Sequence, residues 1–242
     1  MRDTILELVD MIAPKIESSI LPIKLLKDGV PAEIIGTGFL AVFEDAPCLV
    51  TAAHVISEYG QANLCLVLND IVHGLSSWTF ASSREDDLCV AGLSPEFSEL
   101  VRGNYKIPIV RNLGPLRNSC MGVVVLGFPQ HFIVDGTQWA LPISTHLEHR
   151  DISTSTKIHS PIIYYLNDEE LANRIGTLTI PSPDMPGMSG SPAMAWTYIF
   201  SGPEEGNLSV ALQSVLVQWH SGDGYLVGSA TGRLVDLLDT AR

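Results

Sequence analysis

Apolar positions along this chain recur in short runs, and most of the runs have the period of a strand. Residues 20–26, 34–43, 48–53, 62–68 and 88–93 are apolar at alternate positions or continuously, which predicts strands. Breaks such as Asp28-Gly29 and Glu44-Asp45-Ala46-Pro47 separate them. Residues 94–104 contain Pro95 and Gly103 and read as a looser link between two halves. A second set follows at 105–110, 121–128, 139–144, 158–166, 176–180, 193–200, 209–219 and 225–230. Helical spacing is confined to the ends. Ile5, Leu8, Val9 and Ile12 share one face within 1–18, and Leu234, Val235, Leu237 and Leu238 do so within 231–240. The expectation is an all-β chain of two antiparallel barrels of about six strands each, residues 19–103 and 104–242, behind a capping N-terminal helix over 1–18.

Composition narrows the partners. Of 242 residues, 46% are apolar and 17% charged, ample for a core and unlike a disordered chain. Lys and Arg number 14 against 27 Asp and Glu, a formal charge of -13. That excess of acid repels phosphate backbones and anionic lipid, so neither nucleic acid nor a membrane surface is an expected partner, and a polypeptide is. The apolar runs fall far short of the ~20 residues that cross a bilayer. Asp3, Glu7 and Asp10 interrupt the segment where a signal peptide needs an unbroken apolar stretch, so the chain is expected to stay where it is made. Cys48, Cys65, Cys89 and Cys120 form no C-x-x-C pair and sit mostly in apolar runs, where a thiol behaves as a small hydrophobe. A reducing, cytoplasmic setting follows as an expectation.

Three stretches carry candidate chemistry. The first joins Gly36-Thr37-Gly38-Phe39-Leu40 to Thr51-Ala52-Ala53-His54, two strands of small residues that deliver His54 at a strand end. The second is Asp87-Leu88-Cys89-Val90, an acid opening an apolar strand. The third is Pro186-Gly187-Met188-Ser189-Gly190-Ser191-Pro192, a hydroxyl ringed by glycine and proline. Singly, each has an ordinary reading: a hydrogen-bonded structural histidine, a turn aspartate, a loop. Together they supply what a serine nucleophile needs, which is a base, a group that fixes the base's tautomer, and donors for an oxyanion. The backbone N–H groups of Gly187 and Ser189 are the candidate donors. Chain order argues against other serine hydrolases: Ser191 stands where a nucleophile elbow has its second glycine, only His220 follows the serine, and no suitable acid precedes His54.

These segments, in the order His, Asp, Ser, resemble the signature segments of the trypsin/chymotrypsin-like serine peptidases. Val125-Leu126-Gly127-Phe128-Pro129 is similar to a strand-end motif of bacterial members, and Val217-Gln218-Trp219 to the substrate-binding strand. The resemblance covers roughly residues 19–238 and implies the two-barrel chymotrypsin fold. It implies Ser189 as nucleophile, His54 as general base, Asp87 as its orienting acid and Gly187 and Ser189 as the oxyanion hole. Departures from secreted members bear on activation. Val55 and Met185 stand where those enzymes have cysteines, and Met188 replaces the aspartate that pairs with a newly cut N-terminus. Disulfides and zymogen cleavage are therefore not expected, and the closer likeness is to the bacterial stress and glutamyl-endopeptidase branches.

The same resemblance places the substrate pocket at Pro183, Asp184, Met185, Gln218, Trp219 and His220, with residues 227–229 beside them. Asp184 would attract a basic side chain and His220 an acidic one, so specificity stays open. His146 and His149 have the spacing of a pair but no third ligand nearby, and no metal or cofactor is expected. The alternative to a peptidase is a protease-fold sensor or binding module, latent until an activating protein partner orders its loops.

Overall fold

The computed structural model describes residues 16–43, 46–104, 122–130, 133–134, 137–138, 141–147, 161–165, 186–200, 206–220 and 225–241. Fifteen strands and three short α-helices occupy them. The first half runs β1 (Ile20–Lys27), β2 (Val30–Phe43), β3 (Ala46–Ala52), α1 (Ala53–Tyr59), β4 (Leu64–Leu68), β5 (Ile71–Gly74), β6 (Phe80–Ser83), β7 (Leu88–Gly92) and α2 (Pro95–Asn104). Its strands form one seven-stranded antiparallel sheet in the order β5-β4-β1-β2-β3-β7-β6. The second half holds β8 (Gly122–Gly127), a two-stranded pair of β9 (Ile133–Val134) with β10 (Thr137–Gln138), β11 (Leu141–Leu147), β12 (Pro161–Tyr165), β13 (Pro192–Phe200), β14 (Gly206–His220), β15 (Tyr225–Ala230) and α3 (Leu234–Ala241). Six of these pair in a closed ring, β11-β12-β15-β14-β13-β8.

The mostly-β architecture with two antiparallel sheets and helices few and short follows the apolar pattern. Both faces of the first sheet are covered, which is why its strands read as nearly continuous apolar runs. Along β7, Leu88 and Val90 enter one buried cluster while Cys89 enters the other. The first cluster joins the two sheets: Phe39, Val50 and Leu88 meet Val124, Leu126 and Leu212, and Leu234 and Leu238 of α3 close it. In the second, Ile23, Leu40, Leu49 and Leu66 meet Val217, Tyr225 and Val227 from β14 and β15. Cys48, Cys65 and Cys89 are buried thiols with no disulfide, while Cys120 lies outside the described residues. Among the described residues no helix is long and apolar enough to cross a membrane.

Several expectations need correction. The expected link over 94–104 is in large part the helix α2. Ser94 accepts the Phe97 N–H on its hydroxyl at 3.2 Å and the Ser98 N–H on its carbonyl at 2.8 Å, and Pro95 stands at the first helical position. A serine cap followed by proline is a helix-start signal that outweighs the turn reading of the proline. His54 is not at a strand end but in the first turn of α1, because Ala53 already leaves β3. The strand expected over 139–144 is β11, which runs on to Leu147 and places His146 opposite Tyr165. The short strands β5 and β6, with little apolar alternation, went unpredicted and are the two edges of the first sheet. The expected N-terminal helix and the strands at 105–110 and 176–180 lie outside the described residues.

Leu234 is fully buried where α3 meets both sheets. Leu234→Ala is expected to lower the unfolding free energy by about 2–5 kcal/mol, as is usual for a large-to-small change in a packed core. Urea denaturation measures this, and a change under ~0.5 kcal/mol would show that α3 does not belong to the core.

Candidate active site

Pairing of β3 with β7 puts Ala52 opposite Leu88, so the residues just beyond each strand end meet. There the Ala53 N–H donates to the Asp87 carbonyl at 3.0 Å. Asp87 then grips His54 at two points. One carboxylate oxygen accepts the His54 backbone N–H at 2.8 Å, and the other lies 2.7 Å from the ring Nδ1. The first contact satisfies one of the orphan N–H groups at the start of α1, a service its own N-cap residue, Ala52, cannot provide. The second fixes the ring. A carboxylate is an acceptor only, so Nδ1 carries the proton and neutral His54 presents a lone pair at Nε2. Asp87 adopts φ 51°, a left-handed conformation that a short polar side chain tolerates better than most.

Burial disfavours the charged imidazolium of His54. The hydrogen bond to Asp87 and its charge act the other way, Glu58 adds to them, and the net result is a pKa above the ordinary histidine value. The nearby thiol of Cys89 is pushed up to about 12 by burial, reinforced by the charge of Asp87, which removes it as a nucleophile at neutral pH.

Ser189 lies in the turn that leads into β13, and the turn is pinned carbonyl by carbonyl. The Pro186 carbonyl accepts the Gln130 N–H at 2.7 Å, Gly187 the Thr37 hydroxyl at 2.6 Å, Met188 the Ser191 N–H at 3.0 Å and Ser189 the Thr37 N–H at 2.8 Å. In a trans peptide each N–H points opposite to the preceding carbonyl, so these bonds also aim the N–H groups of Gly187, Met188 and Ser189. Among the described residues those three have no acceptor. Gly187 has φ 93° and Gly190 φ 90°, and a side chain at either would collide with neighbouring backbone: Phe128 O for Gly187, Thr37 O for Gly190.

The turn presses on the strands that lead to His54. A side-chain carbon at Gly190 would stand 3.1 Å from the Ala52 nitrogen, and one at Gly36 would lie 2.6 Å from Val55 Cγ1 and 3.3 Å from the Ser189 carbonyl. His54, Asp87 and Ser189 are thus gathered at one junction of the two sheets. Ser189 is half-buried and, among the described residues, its hydroxyl makes no hydrogen bond to the His54 ring. Such a group of residues, with an oriented imidazole, a hydroxyl and N–H donors, has the parts for acyl transfer at a carbonyl.

Two bonds tie the turn to β14: Gly190 N–H to Leu216 O at 2.7 Å, and Leu216 N–H to Ser191 O at 2.8 Å. The register of β14 on β15 slips between Leu216 and Gln218. Gln218 is exposed just past that slip, and Trp219 continues the strand. His220 is half-buried and stacks on Tyr225 at 4.5 Å, with its Nε2 enclosed and unbonded among the described residues. Residues 227–229 are buried in β15. Pro183, Asp184, Met185 and His149 lie outside the described residues, and among these no group of three metal-ligating side chains occurs.

Thr37 is the residue that sequence reasoning passed over. It is fully buried, and besides the two bonds above its hydroxyl accepts the Phe128 N–H at 3.0 Å and its carbonyl accepts the Thr51 hydroxyl at 2.8 Å. The available signal was a polar residue set between two glycines in an otherwise apolar strand.

No family model matches this chain, and no curated protein matches it either. Among solved structures, a chain from a study of how aromatic interactions drive the coupled folding and binding of the intrinsically disordered Sesbania mosaic virus VPg protein is similar in fold. It has a TM-score of 0.50 and 13% identity, over 91% of this chain and 90% of that one. At that identity the likeness concerns fold alone.

Two outcomes are expected. In an NMR titration His54 changes charge above the ordinary histidine value, and Asp87→Asn lowers that midpoint by removing the negative charge and turning one of the two acceptor oxygens into an NH2 donor. With the folded pKa above the unfolded one, the pair's stabilisation is full below the unfolded value and is lost as pH rises through the folded value. A midpoint unmoved by Asp87→Asn would contradict this. Thr37→Val keeps the shape but leaves the Gly187 carbonyl and the Phe128 N–H without partners in a buried place. A loss of about 2–6 kcal/mol in denaturant unfolding is expected, from two groups at ~1–3 kcal/mol each.

Proposed function

We propose that this chain is a serine endopeptidase of the trypsin/chymotrypsin-like class, with the site between its seven-stranded sheet and its six-stranded ring. The observation that carries the reading is the two-point grip of Asp87 on His54, beside a turn whose backbone N–H groups around Ser189 have no acceptor among the described residues. In this reading Ser189 Oγ attacks the scissile carbonyl while His54 Nε2 takes its proton. The N–H groups of Gly187 and Ser189 receive the oxyanion. The C–N bond breaks as His54 returns the proton to the leaving amine, and water hydrolyses the acyl-enzyme by the same steps. Asp87 stabilises the imidazolium and holds its tautomer throughout.

The substrate is a polypeptide that lies as an added antiparallel strand along Gln218, Trp219 and His220, where β14 pairs with β15 on one side and has run past Val215, its last partner position with β13, on the other. Pro183, Asp184 and Met185 would complete the pocket for the side chain before the cleaved bond. An acidic, disulfide-poor peptidase of this kind suits a cytoplasmic setting, and neither nucleic acid nor a membrane is part of the proposal.

One observation favours a second reading, that the site is latent until a protein partner orders it. The Ser189 hydroxyl makes no hydrogen bond to His54 among the described residues, although such bonds often tighten only when substrate binds. One experiment separates the readings. The protein is treated with a fluorophosphonate and offered a peptide library, with Ser189→Ala as the blank. Prompt labelling and cleavage that drops ~10⁶-fold in the variant support the peptidase. Labelling only in the presence of another protein supports latency, and cleavage retained by Ser189→Ala overturns both.

A further inference from the structure

The acid arm of the site depends on a turn whose far side is held by the C-terminal helix. The hairpin between β6 and β7 turns through Arg84, Glu85, Asp86 and Asp87. Ser83 closes it, donating its hydroxyl to Asp86 Oδ2 at 2.7 Å and accepting the Asp86 N–H at 3.2 Å. The Asp86 side chain is only 7% exposed, and the cation near it is Arg233, whose Nε stands 3.8 Å from the same Oδ2. That is ion-pair range and too long for a direct hydrogen bond.

Arg233 sits on the turn that opens α3, anchored by the buried residue that follows it, while its contact to Asp236 is an exposed surface pair. Its Nη1 approaches Asp236 at 3.4 Å, and Leu234, the next residue, packs in the cluster that holds Leu88 and Val90. Asp87 is therefore bracketed. The residue before it is tied by Ser83 and Arg233, and the residue after it is packed against α3. A left-handed backbone such as that of Asp87 persists only where its surroundings over-determine it.

We propose that Arg233 and Asp86 are positioning residues, a latch by which α3 holds the turn that aims the Asp87 carboxylate at His54; this rests on the triad reading given above. The interaction is asymmetric in a useful way. Arg233 is 56% exposed, so removing it costs little as a surface pair, yet it strips a nearly buried carboxylate of its nearby charge. The turn then shifts to hydrate Asp86, and Asp87 moves with it. Because the grip on His54 uses both carboxylate oxygens, a small rotation disturbs both contacts at once.

The test uses Arg233→Ala, Arg233→Lys and, as control, Asp236→Ala, which removes the other partner of Arg233 on the same helix. Two readouts are taken: the kcat and KM of peptide hydrolysis, and the His54 Nδ1 proton resonance, which reports the bond to Asp87 whether or not the protein hydrolyses anything. The latch predicts that Arg233→Ala lowers kcat about 10- to 100-fold at little change in KM, as misplacement of a catalytic group does. It also predicts that the Nδ1 resonance broadens or disappears, that Arg233→Lys restores most of both, and that Asp236→Ala leaves both near wild type. A wild-type Nδ1 resonance in Arg233→Ala overturns the proposal. If no variant or wild type hydrolyses peptides, the peptidase reading falls while the resonance still decides the latch.

Discussion

Thr37 uses its backbone N–H and its hydroxyl to join the first sheet to the turn that carries Ser189, and its carbonyl within that sheet. Its backbone N–H and hydroxyl hold the carbonyls on either side of Met188, its hydroxyl also takes the N–H at the outlet of β8, and its carbonyl takes Thr51. All of this occurs with the residue fully buried, where an unmade bond would cost more than a made one gains. The turn cannot shift relative to β2 without leaving several groups unpaired together. Much else in the site follows from that constraint.

Glycines at 187 and 190 are required because the turn is held so close to other backbone, and their left-handed conformations come with that closeness. Pinning the carbonyls turns the intervening N–H groups the other way, so a row of N–H donors is a by-product of how the turn is anchored. Thr51 belongs to β3, three residues before His54, so the same bond network reaches the strand that leads to His54. The hydrophobic clusters act in parallel. Each includes residues from both sheets, so docking the sheets and assembling the site are one event.

How far the letters alone went depends on whether a feature was local. Strands such as β7 and β15 were legible because burial writes itself as apolar runs, and the chemistry-bearing residues stood out through short motifs. What stayed hidden was set by partners distant in sequence. Nothing near Thr37 says that its hydroxyl faces Gly187, 150 residues later. Nothing near Asp87 says that both its oxygens meet one histidine, 33 residues earlier. The helix α2 was a different failure, since Ser94-Pro95 is a local start signal and the proline was weighed as a breaker. The edge strands β5 and β6 were missed because edges need little apolar alternation to be stable: only one neighbour holds them, and Ile71 and Val72 are exposed.

The charges around His54 suggest why the nucleophile of such a site would be a hydroxyl rather than one of the thiols. Asp87 raises the basicity of the imidazole it grips, and the same charge, added to burial, drives the Cys89 thiol up to about 12. A field arranged to stabilise an imidazolium works against any anion formed on the same side of it. An alkoxide never has to form free at Ser189, because its proton leaves for His54 as the bond to carbon is made. In the proposed reaction the negative charge would appear on the carbonyl oxygen, beside the turn whose N–H groups at Gly187, Met188 and Ser189 have no acceptor among the described residues. On that reading the carboxylate belongs to the first sheet and the N–H donors to the turn into β13, so each would favour its own charge without opposing the other.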